Sequence, residues 1–196
     1  HTVALLEAGS ASRHPLLRIP IGYATMMNRP AFGWGDQTEP EAALQGRRIR
    51  WPRGRVVGGS AAINGLVFLR GAPGDFDGWE AQGARGWSYR AVLPFFRRLE
   101  THHDAGDGSA LHGFDGPIPV RRCARPSPAA RAFVEAAVSL GFPYCGDFNG
   151  ALLAGAGFLP MNVARGLRRT SATEYLAPVL RSGAVRFTWA RGRVPP

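Results

Sequence analysis

The sequence predicts an α/β fold, α+β in part, and three observations carry that prediction. A β-type apolar run, Val3 to Leu6, ends in Glu7-Ala8-Gly9, the pattern of a buried parallel strand with an acid at its carboxyl end. A second run, Val185, Phe187 and Trp189 alternating with Arg186 and Thr188, predicts another strand late in the chain. Between them lie helical signatures interrupted by turn residues: Gly (26) and Pro (16) make up about a fifth of the 196 residues, against ~12% ordinarily. Many backbone positions must therefore be tight turns or close approaches, and long helices are not expected.

Composition narrows the class. With 45% hydrophobic and 19% charged residues, the chain suits one large domain or parts of two, and is neither disordered, collagen-like nor a disulfide-stapled miniprotein. No apolar stretch approaches the ~18 residues that span a bilayer, because the longest, Ala151 to Val163, contains Gly155, Gly157 and Pro160. The formal charge is +10, but all 24 basic residues are arginine, scattered and without a nucleic-acid module around them. A bias toward arginine accounts for the charge, so no nucleic-acid partner is expected. Cys123 and Cys145 form no CxxC, which makes a reduced, cytoplasmic setting the expectation. His102, His103 and His112 lie in a polar stretch without Cys or Glu at ligand spacing; they read as loop residues, and no metal is expected.

Element by element, Glu7 comes first. In a dinucleotide-binding fold such an acid hydrogen-bonds a ribose hydroxyl, ~20 residues beyond a Gly-rich phosphate loop. Only six residues precede it here, so on that reading the phosphate loop lies outside the sequence; a plain strand-end Glu is the alternative. The chain starts at His1, already apolar from Thr2, with no charged leader ahead of it, and has the look of a cut start. Pro15 to Ala43 reads as an extended loop crossing a core surface, and Arg48 to Arg53, with Ile49 and Trp51 alternating, as a short strand or arm.

Gly54-Arg55-Val56-Val57-Gly58-Gly59-Ser60-Ala61-Ala62-Ile63-Asn64-Gly65 follows. Two adjacent glycines remove both Cβ atoms, so a flat or anionic ligand could lie against the backbone, and Ser60 is placed to cap a short helix. The run matches neither the P-loop nor GxGxxG, and a Gly-Gly turn into a packed helix is the plainer alternative. Ser88 to Glu100 predicts a cap, a turn and a short helix. Pro94 should be its first regular residue, since proline costs ~3 kcal/mol inside a helix. Residues 101 to 116 read as polar loop and Ile118 with Val120 as a short strand. Ser127-Pro128 opens a helix through Leu140, stopped by Gly141, with Ala130, Phe133, Val134 and Ala137 as its core face. Ser171 and Glu174 have capping-box spacing at the head of a helix through Arg181, which Pro178 should kink and Gly183 end.

The run from Trp51 through Gly71, continuing as Asp75-Phe76-Asp77-Gly78-Trp79, resembles the flavin-binding signature of the glucose-methanol-choline (GMC) oxidoreductases. Leu5-Leu6-Glu7-Ala8-Gly9, Trp34-Gly35, Thr38-Glu39-Pro40, Gly86-Trp87-Ser88-Tyr89, His112-Gly113, Asp115-Gly116-Pro117, Asp147-Phe148-Asn149-Gly150 and Ser171-Ala172 with Tyr175-Leu176 follow in the family's order. The resemblance is nearest to choline dehydrogenase-like alcohol dehydrogenases and covers essentially the whole chain. It implies a partial Rossmann-type FAD-binding domain with the beginning of a substrate-binding domain. Residues 1–115 would be the partial FAD domain, with the signature at 54–77, residues 116–182 the start of the substrate region, and 183–196 a returning strand.

By that resemblance Glu7 would bind the adenosine ribose, Val56, Asn64, Gly65, Leu66 and Val67 would contact the flavin largely through backbone, Gly58 and Gly59 would permit close approach, and Ser60 would cap the short helix. Some members attach the flavin through a histidine just before the signature Asn; that position is Ile63, which implies noncovalent FAD. Ala61 stands where the family has Ser, Thr or Gly, and Ala190 to Val194 loosely resembles the strand whose backbone meets the adenine. The implied reaction is oxidation of a small-molecule alcohol, with hydride passing to flavin N5 and on to an electron acceptor. The family's catalytic base lies near its C-terminus, and none of His1, His14, His102, His103 or His112 matches it, so no catalytic residue is assigned and little or no activity is expected of this chain alone. A noncatalytic flavin-binding or interaction remnant is the alternative.

Overall fold

The computed structural model describes residues 3–105, 109–183 and 185–189. His1, Thr2 and the Ala190 to Val194 stretch lie outside the described residues. In chain order the strands are β1 (Val3–Glu7), β2 (Glu100–His102), β3 (Ile118–Val120), β4 (Val163–Ala164), β5 (Leu167–Arg168) and β6 (Val185–Trp189). The α-helices are α1 (Tyr23–Met26), α2 (Pro73–Ala81), α3 (Tyr89–Leu99), α4 (Pro128–Ser139) and α5 (Ala177–Ser182). The chain packs as two units, one of the residues through Leu66 with those from Arg165 onward, the other Val67–Ala164.

In the first unit β1 and β6 pair in parallel, Val3 against Val185 through Glu7 against Trp189. The strand and its parallel partner match the sequence pattern, but the expected burial does not: Val3, Leu5 and Leu6 are exposed, Leu6 by 73%. A parallel strand is buried only where neighbours cover its faces, and β6 is its single partner among the described residues. Pro15 to Ala43 is not extended. Prolines at the first positions start tight 3₁₀ turns at Pro15–Leu17, Pro20–Gly22 and Pro30–Phe32, because a fixed φ suits a turn's first residue. Those turns, with α1 between them, fold Leu17, Met26 and Phe32 onto Val56, Ala62 and Ile63 as the unit's core. Arg48 to Arg53 is an arm running antiparallel to residues 34–38, with Trp34 N–H donating to the Arg53 carbonyl (3.1 Å) and Trp51 N–H to the Asp36 carbonyl (2.9 Å).

The capping expected of Ser171 belongs to Thr170. Its Oγ1 accepts from the Thr173 N–H (3.2 Å), while its own N–H donates to Thr173 Oγ1 (2.9 Å). A π-helical turn, Ala172–Leu176, then leads into α5. Pro178 falls in the first turn of α5, where a missing N–H is tolerated, and Gly183 ends the helix at φ +74°.

In the second unit Pro94 sits inside α3 rather than at its start. Asp77 Oδ1 accepts the Tyr89 N–H (2.9 Å) and Phe96 packs edge-on against the buried Phe76 (5.6 Å between rings), contacts that offset the proline's cost. Ser127 caps α4 through the Ala130 N–H (3.2 Å). Val134 is buried on the inner face of α4, but Phe133, expected in the core, is 74% exposed, since one residue turns ~100° around a helix. Glu100 to His102, read as helix end and loop, is strand β2, parallel to β3.

Candidate functional site

The Gly-rich loop is built against the end of β1. Gly9 runs so close to it that an added Cβ would lie 2.2 Å from Arg55 C and Val56 N. Val57 N–H donates to the Ser10 carbonyl (3.1 Å), joining the segment after β1 to the loop. Glu7, half-buried, accepts the Gly9 N–H on Oε1 (2.6 Å), which orients its carboxylate at the carboxyl end of the strand. Gly59 N–H then donates to the Val56 carbonyl (2.7 Å), with Gly58 at φ +96° and Gly59 at φ +57°. A Cβ on Gly59 would meet nothing within 4 Å, so this glycine presents bare backbone to open space.

Glu7, Gly58 and Gly59 line one groove of about 480 Å³, with Val57, Ala172 and Tyr175 on its walls. Ser60 does not cap. Gly58 is the residue before the 3₁₀ turn Gly59–Ala62, and Ser60, one residue inside it, accepts the Gly54 N–H on Oγ (3.1 Å). Its hydroxyl ties the start of the loop to the turn.

On either side of the turn, the Val56, Ile63 and Leu66 side chains are buried, so any approach to them is through backbone. Asn64 Oδ1 accepts the Leu66 N–H (3.0 Å) around Gly65, and Leu66 takes φ +65°, uncommon for a residue with a Cβ. Asn64, Gly65 and Leu66 do not line the groove, and Val67 belongs to the other unit. Arg168, 3% exposed, reaches this segment: its Nη1 donates to the Asn64 carbonyl (2.7 Å), Asn64 Oδ1 (2.9 Å) and the Ala61 carbonyl (3.2 Å). Burial pushes the Arg168 guanidinium down from its ordinary pKa.

The second unit holds a buried charge network centred on His112, a residue expected in loop. Glu100 Oε1 accepts from Arg70 Nη2, from the Gly113 N–H (3.2 Å) and from His112 Nδ1 (2.9 Å), and His112 Nε2 lies 2.7 Å from Asp147 Oδ2. Burial alone would raise the Glu100 carboxyl, but the His112 hydrogen bond and the Arg70 charge outweigh it and hold it low. Burial would likewise lower His112, yet its bonds to Glu100 and Asp147 raise it, making it an imidazolium between two carboxylates. For Asp147, burial is outweighed by the Asn149 N–H and His112, and its pKa falls. His102 is lowered by burial and by the His112 charge. The ligand atoms of His102, His112 and Asp147 lie within 4.8 Å of one another, so the trio could approach a metal; His112, however, has both ring nitrogens committed to carboxylates. Asn149 joins the same neighbourhood, accepting the Arg70 N–H (2.9 Å) and donating to the Phe68 carbonyl (2.8 Å). The signal that could have located the network was the ordered His112-Gly113 and Asp147-Phe148-Asn149-Gly150 motifs, which contain two of its members.

A sequence profile of the GMC oxidoreductases matches residues 5–193. The oxygen-dependent choline dehydrogenase of Rhizobium rhizogenes is 42% identical over 181 residues, covering 92% of this chain and 33% of that protein. That of Sinorhizobium fredii is 42% identical over 187 residues, covering 95% and 34%. The chain spans about a third of the length of the curated relatives it matches. Among solved structures, pyridoxine 4-oxidase from Mesorbium loti superposes with a TM-score of 0.87 at 34% identity, over 96% of this chain and 37% of that one.

Proposed function

We propose, since the chain belongs to the GMC oxidoreductase family, that it forms the flavin-facing part of an FAD-dependent enzyme that oxidises the CH–OH group of a small alcohol, choline or another primary alcohol. The observation that carries this reading is the groove in which Glu7, Gly58 and Gly59, expected from the sequence to serve one cofactor, come together. The open face at Gly59 is what close approach of a flat group requires. When bound, FAD supplies the hydride acceptor at flavin N5.

In this reading the Glu7 carboxylate accepts a ribose hydroxyl, held for that role by the Gly9 N–H. Gly58 and Gly59 let backbone meet the cofactor. Val56, Asn64, Gly65, Leu66 and Val67 contribute main-chain groups, with Arg168 holding Asn64 and the Asn64 side chain holding the Leu66 N–H. Ser60 locks the loop through Gly54 rather than capping. Ile63 is buried in the core and offers no nucleophile, which supports noncovalent attachment. We assign no catalytic base to this chain: His112 is committed to Glu100 and Asp147. Residues 1–115 and 183–196 would act as FAD domain and 116–182 as the start of the substrate region, in a reducing cytoplasmic setting that two free cysteines suit. The electron acceptor and the alcohol would be small molecules.

The test is spectroscopic and kinetic. The purified chain mixed with FAD should show a perturbed flavin band, yet fail to reduce a dye acceptor with choline or simple alcohols. An unperturbed band overturns the cofactor assignment, and clear turnover overturns the absence of a catalytic residue.

A further inference from the structure

We propose that Arg168 is a positioning residue for the Ala61–Leu66 segment: a buried guanidinium that sets the backbone turn which, on the reading above, faces the flavin. It deepens that reading and rests on it only for the identity of what the turn faces. Four features carry it.

The first is convergence. One nitrogen, Nη1, meets the Ala61 carbonyl, the Asn64 carbonyl and Asn64 Oδ1, three acceptors spread along one tight turn. The second is reciprocity. Asn64 Oδ1 also accepts the Leu66 N–H, so the same oxygen that Arg168 polarises holds Leu66 in its left-handed conformation. A positive-φ leucine is unfavourable by itself and must be over-determined by its surroundings. Leu66 is 1% exposed, and the Arg168–Asn64 contact completes that determination. The third is anchoring. Arg168 N–H donates to the Arg18 carbonyl (2.7 Å), so the clamp is itself tied to the loop that carries the core residue Leu17.

The fourth is charge. Arg168 is almost wholly buried, and among the described residues its guanidinium donates to carbonyl and amide oxygens rather than to carboxylates. Its Nε and Nη2 are buried without a hydrogen-bond partner among the described residues. A buried cation that is not neutralised is costly, and a protein that needed only to fill this space could have used an apolar side chain. The cost is accounted for if the guanidinium is there to hold three oxygens in one geometry. A lysine ammonium also carries its donors on one nitrogen, but its stem ends a bond short of the Nη1 position, so lysine should rescue incompletely.

The experiment measures amide hydrogen exchange of this chain without FAD, then FAD binding, in wild type, Arg168→Met and Arg168→Lys. Exchange at Ile63, Asn64 and Leu66 should accelerate roughly tenfold or more in Arg168→Met, with Met27 and helix α4 unchanged, and to an intermediate degree in Arg168→Lys. Should Arg168→Met not fold, Arg168→Lys decides alone: acceleration confined to residues 61–66 supports the clamp. Wild-type exchange at Leu66 in a folded variant overturns it. With FAD added, the flavin band of Arg168→Lys should shift relative to wild type; identical spectra overturn the link to the cofactor. If wild type leaves FAD unperturbed, the functional reading fails, while the exchange result still judges the clamp.

Discussion

Replacing Glu100 by Gln removes one charge from the centre of the second unit without changing its shape. Glu100 and Arg70 side chains are 0% and 2% exposed, and His112 is 1% exposed, so water screens none of the three. One carboxylate oxygen takes hydrogen bonds from Arg70, His112 and Gly113. In Glu100→Gln the carbonyl can still accept, but two buried cations lose their common counter-charge. Breaking a buried pair from one side costs about 3–5 kcal/mol, because the surviving charge stays buried and unmatched. At about 2–4 °C per kcal/mol for a chain of this length, the melting temperature should fall by about 6–20 °C. Thermal melts followed by circular dichroism at pH 6 measure this. The double variant Glu100→Gln/Arg70→Met should recover part of the loss, since it removes one stranded cation along with its partner. A melting temperature within about 2 °C of wild type for Glu100→Gln, at the ~1 kcal/mol scale of an ordinary hydrogen bond, would refute the network as an electrostatic unit.

The stability of the second unit should peak near pH 6.5, the ordinary histidine value. His112 is raised in the folded state, so its contribution is full below 6.5 and is lost as pH rises through its folded value; His102 is lowered, so its contribution is present above 6.5 and lost as pH falls. Glu100 and Asp147, both lowered, add a further loss on acidification below their ordinary values of 4.5 and 3.8. Chemical-denaturation midpoints from pH 4 to 9 would contradict this if they rose steadily through 6.5. Gly54→Ala places a Cβ 2.3 Å from the Gly59 carbonyl oxygen, backbone that cannot swing aside, and should destabilise the chain by more than about 2 kcal/mol, whereas Gly146→Ala, whose nearest neighbours are side chains at 3.5 Å or more, should cost less than half as much in the same melts. Ser127→Ala removes the cap of α4 and should cost about 0.5–2 kcal/mol, with helical signal lost in proportion; an unchanged midpoint would contradict the cap.

What the sequence made legible was local. The β1 apolar run, the β6 alternation, the Ser127-Pro128 helix start and the Gly183 stop are each written within a few residues, where side-chain spacing and backbone preference act directly. Burial was not local. Leu6 and Phe133 are apolar and correctly placed on their elements, yet exposed, because burial depends on what the rest of the chain brings against them. The site divides the same way. Glu7 and the Gly58-Gly59 pair carried a signal in their own neighbourhoods, but nothing near Asn64 announces Arg168, and Arg70, Glu100, His112 and Asp147 meet only through long-range packing. Where two caps competed, Ser171 against Thr170, spacing favoured the first and the hydrogen bonds belong to the second.

The groove at the end of β1 is the centre of the account, and an FAD titration of wild type against Glu7→Gln tests it most directly. Glutamine keeps an oxygen for the Gly9 N–H, so the fold should be undisturbed, while the charged acceptor for a ribose hydroxyl is gone. Followed by flavin fluorescence, the account predicts saturable binding by wild type and affinity about tenfold weaker in Glu7→Gln, the scale of one charge-assisted hydrogen bond. Equal affinity in the two proteins, or no saturable binding by wild type, would contradict it.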